Sequence, residues 1–130
     1  MDVDLPEVVA EVTQAFERYE QALVTNDVDT LDALFRQDER TIRYGIRENL
    51  YGHEEVAAFR AGRSPISLDR TRSRTVITTY GRDYAVASTL FHRPALAGKV
   101  GRQMQTWVRF PEGWRVVAAH VSIIDAPREG

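Results

Sequence analysis

Two long β-type segments near the C-terminus constrain the fold of this chain most. They are "GRQMQTWVRF" (101–110) and "GWRVVAAHVSII" (113–124), joined at "PEG", a hairpin turn signal. "RTVITTYG" (74–81) and "DYAVASTLFHR" (83–93) precede them, so we predict an antiparallel meander in the second half of the chain. Strands this long twist and bend, and helices packed on the concave side leave a conical space suited to a pocket.

The first part of the chain predicts two helices. The first begins near Pro6, and residues at helical spacing form its apolar face: Val8, Val12, Ala15, Phe16, Tyr19, Ala22 and Leu23. "TNDVDT" (25–30) breaks this helix. Asn26 or Asp27 can then cap a shorter second helix.

A hairpin over 41–51 separates these helices from a third, "HEEVAAFRAGR" (53–63), which Pro65 would stop. The predicted fold class is therefore α+β. We expect one domain over 1–130, with three N-terminal helices packed on a curved, mainly antiparallel sheet.

The composition is that of an ordinary soluble globular domain. The chain has 130 residues, is 43% hydrophobic and 28% charged, and carries a formal net charge of −2. This balance gives no sign of binding to nucleic acid or to an anionic membrane. There is no cysteine, which excludes disulfides and thiolate nucleophiles. Neither a signal peptide nor an apolar run of roughly 20 residues is evident, so we expect a cytoplasmic protein.

Arg43 is the most informative charged residue. In "TIRYGIRENLYG" (41–52), strand alternation places it on one face with Thr41 and Gly45, and Gly45 leaves space beside it. An inward-pointing arginine needs an anion, and no partner nearby is obvious, so one interpretation is a guanidinium presented to a ligand carboxylate. The alternatives are an exposed strand arginine, or one paired with an acid of the fold such as Glu48.

Tyr19 and the last strand offer further polar groups. A tyrosine on the apolar helix face is usually a core residue, and the alternative is a pocket wall whose hydroxyl orients a ligand. His120 and Ser122 share a strand face with Trp114, Val116 and Ala118, and the opposite face is wholly apolar: Val117, Ala119, Val121 and Ile123. Periodicity does not decide which face meets the helices. A pocket-facing His120 would be a candidate acid or base.

Three more residues are candidates for substrate binding. Gln105 alternates with Gln103 and Trp107, which indicates a lined cavity, a wet interface or solvent exposure. Arg63 follows the third helix, where it complements the helix dipole or reaches the mouth of the cone. Asn49 donates to a ligand carbonyl or stabilises the turn.

The usual motifs for cofactors and nucleophiles are missing. The three histidines, His53, His92 and His120, have no metal-ligand spacing with carboxylates, so no metal is predicted. No glycine-rich loop precedes a helix, and neither GxSxG nor SxxK occurs. The sequence therefore predicts no cofactor and no serine nucleophile.

Several longer motifs resemble a known family. The order of helices, hairpin and meander resembles the NTF2-like, SnoaL-like cone fold. Within it, "RYG…ENLYG…VAAFRAGRSP", "TVITTYGRDYAVA", "GRQMQTWVR" and "GWRVVAAHVS" resemble the AtzH-like group over roughly residues 3–125. Relatives in that group include the oxalurate-catabolism protein HpxZ.

The resemblance implies a cofactor-free decarboxylating amidohydrolase of ureide and s-triazine catabolism. The namesake of the family cleaves an N–carboxyl bond of 1,3-dicarboxyurea to give allophanate. Its proposed catalytic pair is a tyrosine on the first helix and an arginine on the first strand, which correspond to Tyr19 and Arg43. We expect supporting substrate contacts from Asn49, Arg63, Gln105, His120 and Ser122.

Partners and alternative functions follow from the same resemblance. It implies a homodimer, because open sheets of this fold bury their outer face against a second copy, and a functional link to an amidase-signature hydrolase. A non-catalytic ureide-binding or accessory protein stays open. So does an isomerase, although that needs a carboxylate base in the cone, and Asp83 and Asp125 lie at predicted strand ends.

Overall fold

A computed structural model describes residues 1–63 and 69–127. Its helices are α1 (Pro6–Val24), α2 (Val28–Leu34) and α3 (His53–Ala61), with a short 3₁₀ helix at Pro94–Leu96. Its strands are β1 (Ile42–Tyr44), β2 (Asn49–Tyr51), β3 (Thr71–Tyr80), β4 (Tyr84–His92), β5 (Lys99–Phe110) and β6 (Gly113–Asp125). The prediction of an α+β chain with three helices and a long C-terminal meander is confirmed. Pro65, predicted to end the third helix, lies outside the described residues.

The six strands form one mixed sheet in the order β2-β1-β6-β5-β4-β3. All neighbours are antiparallel except β1 and β6, which run parallel with Arg43 opposite Ala119. The chain leaves α2 alongside β6, where Arg36 N donates to Val116 O at 2.9 Å, and this approach sets the parallel direction. The small side chain of Ala119 is thereby placed next to Arg43.

The core lies between the helices and one face of the sheet. Apart from the half-buried Ala15, the predicted apolar face of α1 is buried in one core with Ala85, Ala87, Trp107 and Val116. Phe16 and Leu31 are fully buried, and each such side chain contributes about 1.5–3 kcal/mol. Pro6 is the first residue of α1, as predicted.

Asp27, and not Asn26, caps α2. Its carboxylate accepts hydrogen bonds from Thr30 N at 3.2 Å and Thr30 Oγ1 at 2.7 Å, and these bonds lower the pKa of Asp27. Asn26 instead takes a left-handed backbone conformation with φ of 53°.

A β-bulge in β6 changes the phase of the strand. Trp107 pairs with Val116 and Thr106 pairs with Ala118, so Val117 is an extra residue. Trp114 and Val116 face the helices before the bulge, and Ala119 and Val121 do so after it. The predicted division of this strand into two uniform faces is therefore wrong, because strict alternation fails where a residue is inserted.

No helix in the described ranges 1–63 and 69–127 is both long and apolar enough to cross a membrane.

Candidate functional site

A cavity of about 170 Å³ lies between α1, α3, the β1–β2 turn and the inner face of the sheet. This volume is below the roughly 300–1,000 Å³ of pockets for drug-sized ligands, so a smaller molecule would fit. Its polar lining residues are Tyr19, Arg43, Glu48, Arg63, Arg70, Arg93 and Gln103. Its apolar lining residues are Leu23, Ile46, Phe59, Phe91 and Val121.

Tyr19 is both a core residue and a wall of the cavity. It is only 3% exposed, with its ring centroid 6.2 Å from Phe35 and 6.5 Å, edge-on, from Trp107. Within residues 1–63 and 69–127 its hydroxyl has no hydrogen-bond partner. The two interpretations offered by the sequence are thus compatible, since the ring packs in the core and the residue also lines the cavity.

Arg43 lines the same cavity but is not unpaired. Its Nη1 donates to Glu48 Oε1 at 2.6 Å, and the two side chains are 13% and 19% exposed. The expectation that no partner lies nearby is therefore wrong, and the alternative of a pair with Glu48 is confirmed. The reason is local geometry: Gly45 N donates to Glu48 O at 2.9 Å, and this tight turn brings the Glu48 carboxylate back to the guanidinium.

Gly45 makes room for this ion pair. A Cβ at this position would lie 1.7 Å from Glu48 Oε1 and 2.8 Å from Arg43 Nη1. The predicted space beside Arg43 therefore exists, and the carboxylate of Glu48 occupies it.

Arg63 enters the cavity from the end of α3. Its Nη2 donates to Asn26 Oδ1 at 3.3 Å, while its buried Nε has no partner among the residues that the structure describes. Burial lowers the pKa of Arg63, and repulsion from Arg60 and Arg43 lowers that pKa further. An anion bound beside Arg63 would offset both effects.

Arg60, one turn earlier in the last turn of α3, is buried and paired. The residue is 4% exposed, its Nη1 lies 3.3 Å from Asp32 Oδ1, and its guanidinium carbon lies 4.4 Å from the Phe35 ring centroid. Arg60 therefore packs in the core and is not part of the cavity lining.

Sequence reasoning missed a buried ion pair beside the cavity. Arg70 Nε donates to Glu20 Oε2 at 3.2 Å, and their side chains are 5% and 6% exposed. Gln103 Nε2 also donates to Glu20 Oε1 at 3.2 Å, and the Phe91 ring centroid lies 4.5 Å from the Arg70 guanidinium carbon. A signal for Glu20 was present, because it lies four residues after Phe16 and three before Leu23, along the apolar stripe. Arg70 and Arg93 had no comparable signal.

Four of the predicted substrate contacts lie outside the lining of the cavity: Asn49, Gln105, His120 and Ser122. Asn49 is exposed on the edge strand β2. His120 is exposed and packs edge-on against Tyr44 at 6.4 Å, and Ser122 Oγ accepts from Arg102 Nε at 3.1 Å. Both follow the bulge at Val117, which turns them away from the helices.

Gln105 is in the core, outside the lining of the cavity. It is 1% exposed, and its Oε1 accepts a hydrogen bond from Trp107 Nε1 at 3.1 Å. Gln103, one strand period earlier, is the glutamine that reaches the cavity.

Asp83 and Asp125 lie at strand ends, as predicted. Asp83 pairs with Arg109, and Asp125 pairs with Lys99, both on the protein surface. Glu48, which the sequence did not assign to the cavity, supplies its carboxylate. Among the described residues, no group of three or more histidine, aspartate or glutamate side chains is arranged to hold a metal ion.

Comparison with known proteins agrees with this architecture. The model of the AtzH-like family matches residues 1–127. A protein of unknown function from Pectobacterium atrosepticum is 60% identical over 95% of this chain and 96% of its own, with a TM-score of 0.93. A cystatin-like fold protein from Burkholderia xenovorans is 47% identical over 98% and 99% of the two chains, also with a TM-score of 0.93.

A more distant structure identifies the fold. An NTF2-like protein of unknown function from Pseudomonas putida is 19% identical over 95% of this chain and 89% of its own, with a TM-score of 0.76. No curated protein matches the sequence. The chain has the NTF2-like α+β fold and belongs to the AtzH-like family.

Proposed function

We propose that this protein is a decarboxylating amidohydrolase that converts a small carboxylated urea, of the 1,3-dicarboxyurea type, to allophanate. The observation that carries the proposal is one small cavity lined by Tyr19 and Arg43 together with three further arginines. A cavity of this charge favours an anionic ligand, because charged hydrogen bonds contribute about 1.5–3 kcal/mol each.

The proposed reaction is a hydrolysis at one N–carboxyl bond. Water adds its oxygen to the terminal carboxyl carbon, the bond from that carbon to nitrogen breaks, and the nitrogen takes up a proton. The dianionic substrate and water thus give allophanate and bicarbonate, one negative charge on each. The electron pair of the broken bond stays on nitrogen, so the step needs neither oxidant nor reductant.

Tyr19 and Arg43 have separate roles in this proposal. Arg43 holds the central carbonyl or a carboxylate through the N–H groups that it does not donate to Glu48. The Tyr19 hydroxyl protonates the leaving nitrogen, and the proton that the attacking water releases restores this hydroxyl. One positioned acid of this kind supplies about 10²–10⁴-fold. Such a bond is labile once its nitrogen is protonated, so this modest acceleration suffices.

The test is turnover by the purified protein alone. Carbon-13 NMR of labelled 1,3-dicarboxyurea should show allophanate and bicarbonate forming faster with protein than in buffer. Equal rates with and without protein would reject the enzymatic proposal.

Gly45→Ala should damage the site without disturbing the fold. The new Cβ would displace the Glu48 carboxylate, and Arg43 would lose the contact that fixes its position. Because a displacement of about 1 Å can cost about 10²-fold, we expect turnover to fall by about that factor. Arg47→Ala, in the same turn, is the control. Full activity in Gly45→Ala would show that the ion pair does not position Arg43.

A non-catalytic ureide-binding or accessory protein is the second candidate. The ion pair between Arg43 and Glu48 favours it, because a guanidinium already held by an acid is less available to stabilise a reacting group. Binding of the dicarboxylate without turnover would support this function. Co-purification with an amidase-signature hydrolase would support the accessory role in particular.

The outer face of the sheet is proposed to bind a second copy of the chain. Tyr44, Met104 and Val76 lie in one row across the strands and are 37%, 55% and 54% exposed. Met104→Glu should convert a dimer to a monomer in light scattering, because it would bury a charge at the centre of this face. Val3→Glu, also at an exposed position, is the control. A monomeric wild-type protein would contradict the proposal.

A further inference from the structure

The arginines of the cavity are not equivalent, since two of the four are neutralised by acids of the fold. Arg43 is paired with Glu48, and Arg70 is paired with Glu20. Among the residues that the structure describes, four guanidinium charges against two carboxylates leave two positive charges, which belong to Arg63 and Arg93.

Arg63 is held in place by a neutral partner. Its contact with the amide oxygen of Asn26, at 3.3 Å, orients the guanidinium without cancelling its charge. Its Nε is buried and has no partner in the described parts of the chain. A buried donor of this kind gains from an anion that enters the cavity.

Arg93 lies directly between β4 and the 3₁₀ helix. Its half-buried side chain lines both the cavity and an adjoining groove, where Asp69 and His92 also lie. Across residues 1–63 and 69–127, no carboxylate lies within ion-pair distance of it. Its charge also contributes to the repulsion that lowers the pKa of Arg63, in agreement with a common space between the two.

We propose that Arg63 and Arg93 form a pair that selects ligands with two carboxylates, with Arg93 as the specificity-determining residue. This inference rests on the proposed function and deepens it. A dianion satisfies both guanidinium groups, whereas a monoanion leaves one of them unneutralised.

The selection has a consequence for turnover. The reaction removes one carboxylate from the bound molecule, so the organic product can contact only one member of the pair. Loss of that contact weakens product binding and favours release. Discrimination between dianion and monoanion is thus also discrimination between substrate and product.

Calorimetry with two unreactive ligands tests the pair directly. Glutarate has the same number of atoms between its carboxylates as 1,3-dicarboxyurea, and glutaramate has nearly the same shape with one charge fewer. The wild-type protein should bind glutarate about tenfold to hundredfold more tightly than glutaramate, the range expected for one charged hydrogen bond. Equal affinities would overturn the inference.

Variants assign the effect to Arg93. Arg93→Gln should weaken glutarate binding about tenfold or more and leave glutaramate within about threefold of wild type. Arg82→Gln removes an exposed arginine paired with Glu7 and should leave both affinities unchanged. Equal weakening of both ligands in Arg93→Gln would overturn the assignment, and circular dichroism confirms that each variant is folded.

The two proposals fail in different ways. Selective glutarate binding without turnover of 1,3-dicarboxyurea would refute the amidohydrolase and retain the arginine pair. Turnover without selectivity between glutarate and glutaramate would retain the enzyme and refute the pair.

Discussion

Replacement of Tyr19 with phenylalanine is expected to lower turnover of 1,3-dicarboxyurea about 10²–10⁴-fold, with the fold intact. The variant removes only the hydroxyl, and the ring keeps its contacts with Phe35 and Trp107. Stability should change little, because the hydroxyl has no hydrogen-bond partner in the described residues that the variant would leave unsatisfied.

Steady-state rates followed by carbon-13 NMR measure this effect. Tyr80→Phe, at a tyrosine 41% exposed and outside the cavity lining, is the matched control and should retain full activity. Affinity for glutarate should remain within a few-fold of wild type in both variants. A Tyr19→Phe protein with wild-type rates would remove Tyr19 from the chemical step.

Glu20→Gln is expected to destabilise the protein by about 3–5 kcal/mol, the range for breaking a buried ion pair by removing one partner. The carboxylate of Glu20 is bonded to both Arg70 and Gln103 and also lies 3.8 Å from Arg72. The variant leaves the buried guanidinium of Arg70 without its counter-charge. Urea unfolding measures the loss.

Glu17→Gln is the matched control on the same helix. Glu17 accepts from Arg72, but its side chain is 53% exposed, so its loss should cost no more than about 1 kcal/mol. Replacing Glu20 and Arg70 together with methionine should recover much of the stability, because no buried charge remains unpaired. Equal losses of unfolding free energy in Glu20→Gln and Glu17→Gln would show that the buried ion pair stabilises the fold no more than the exposed one.

The candidate site was only partly predictable. Tyr19 was placed on the apolar face of α1, and Arg43 beside Gly45, from spacings of a few residues. Glu48 was named as a possible partner of Arg43 because it is close in sequence, but the sequence did not decide between that pair and an arginine left free for a ligand. Arg70 and Glu20 are 50 residues apart, and no local pattern joins them.

By itself the sequence determined the helices, the strands, the start of α1 at Pro6 and the residues that α1 buries. These features depend on neighbouring residues and on the side-chain period, which is two residues in a strand and 3.6 in a helix. A short stretch of sequence is therefore enough to predict them. Only the tertiary structure decided that β6 shifts phase at Val117, turning His120 and Ser122 outward. It also decided that two of the four cavity arginines have no acidic partner in ranges 1–63 and 69–127. The fit of one strand to the next and the choice among distant charges depend on three-dimensional proximity, which a linear pattern does not contain.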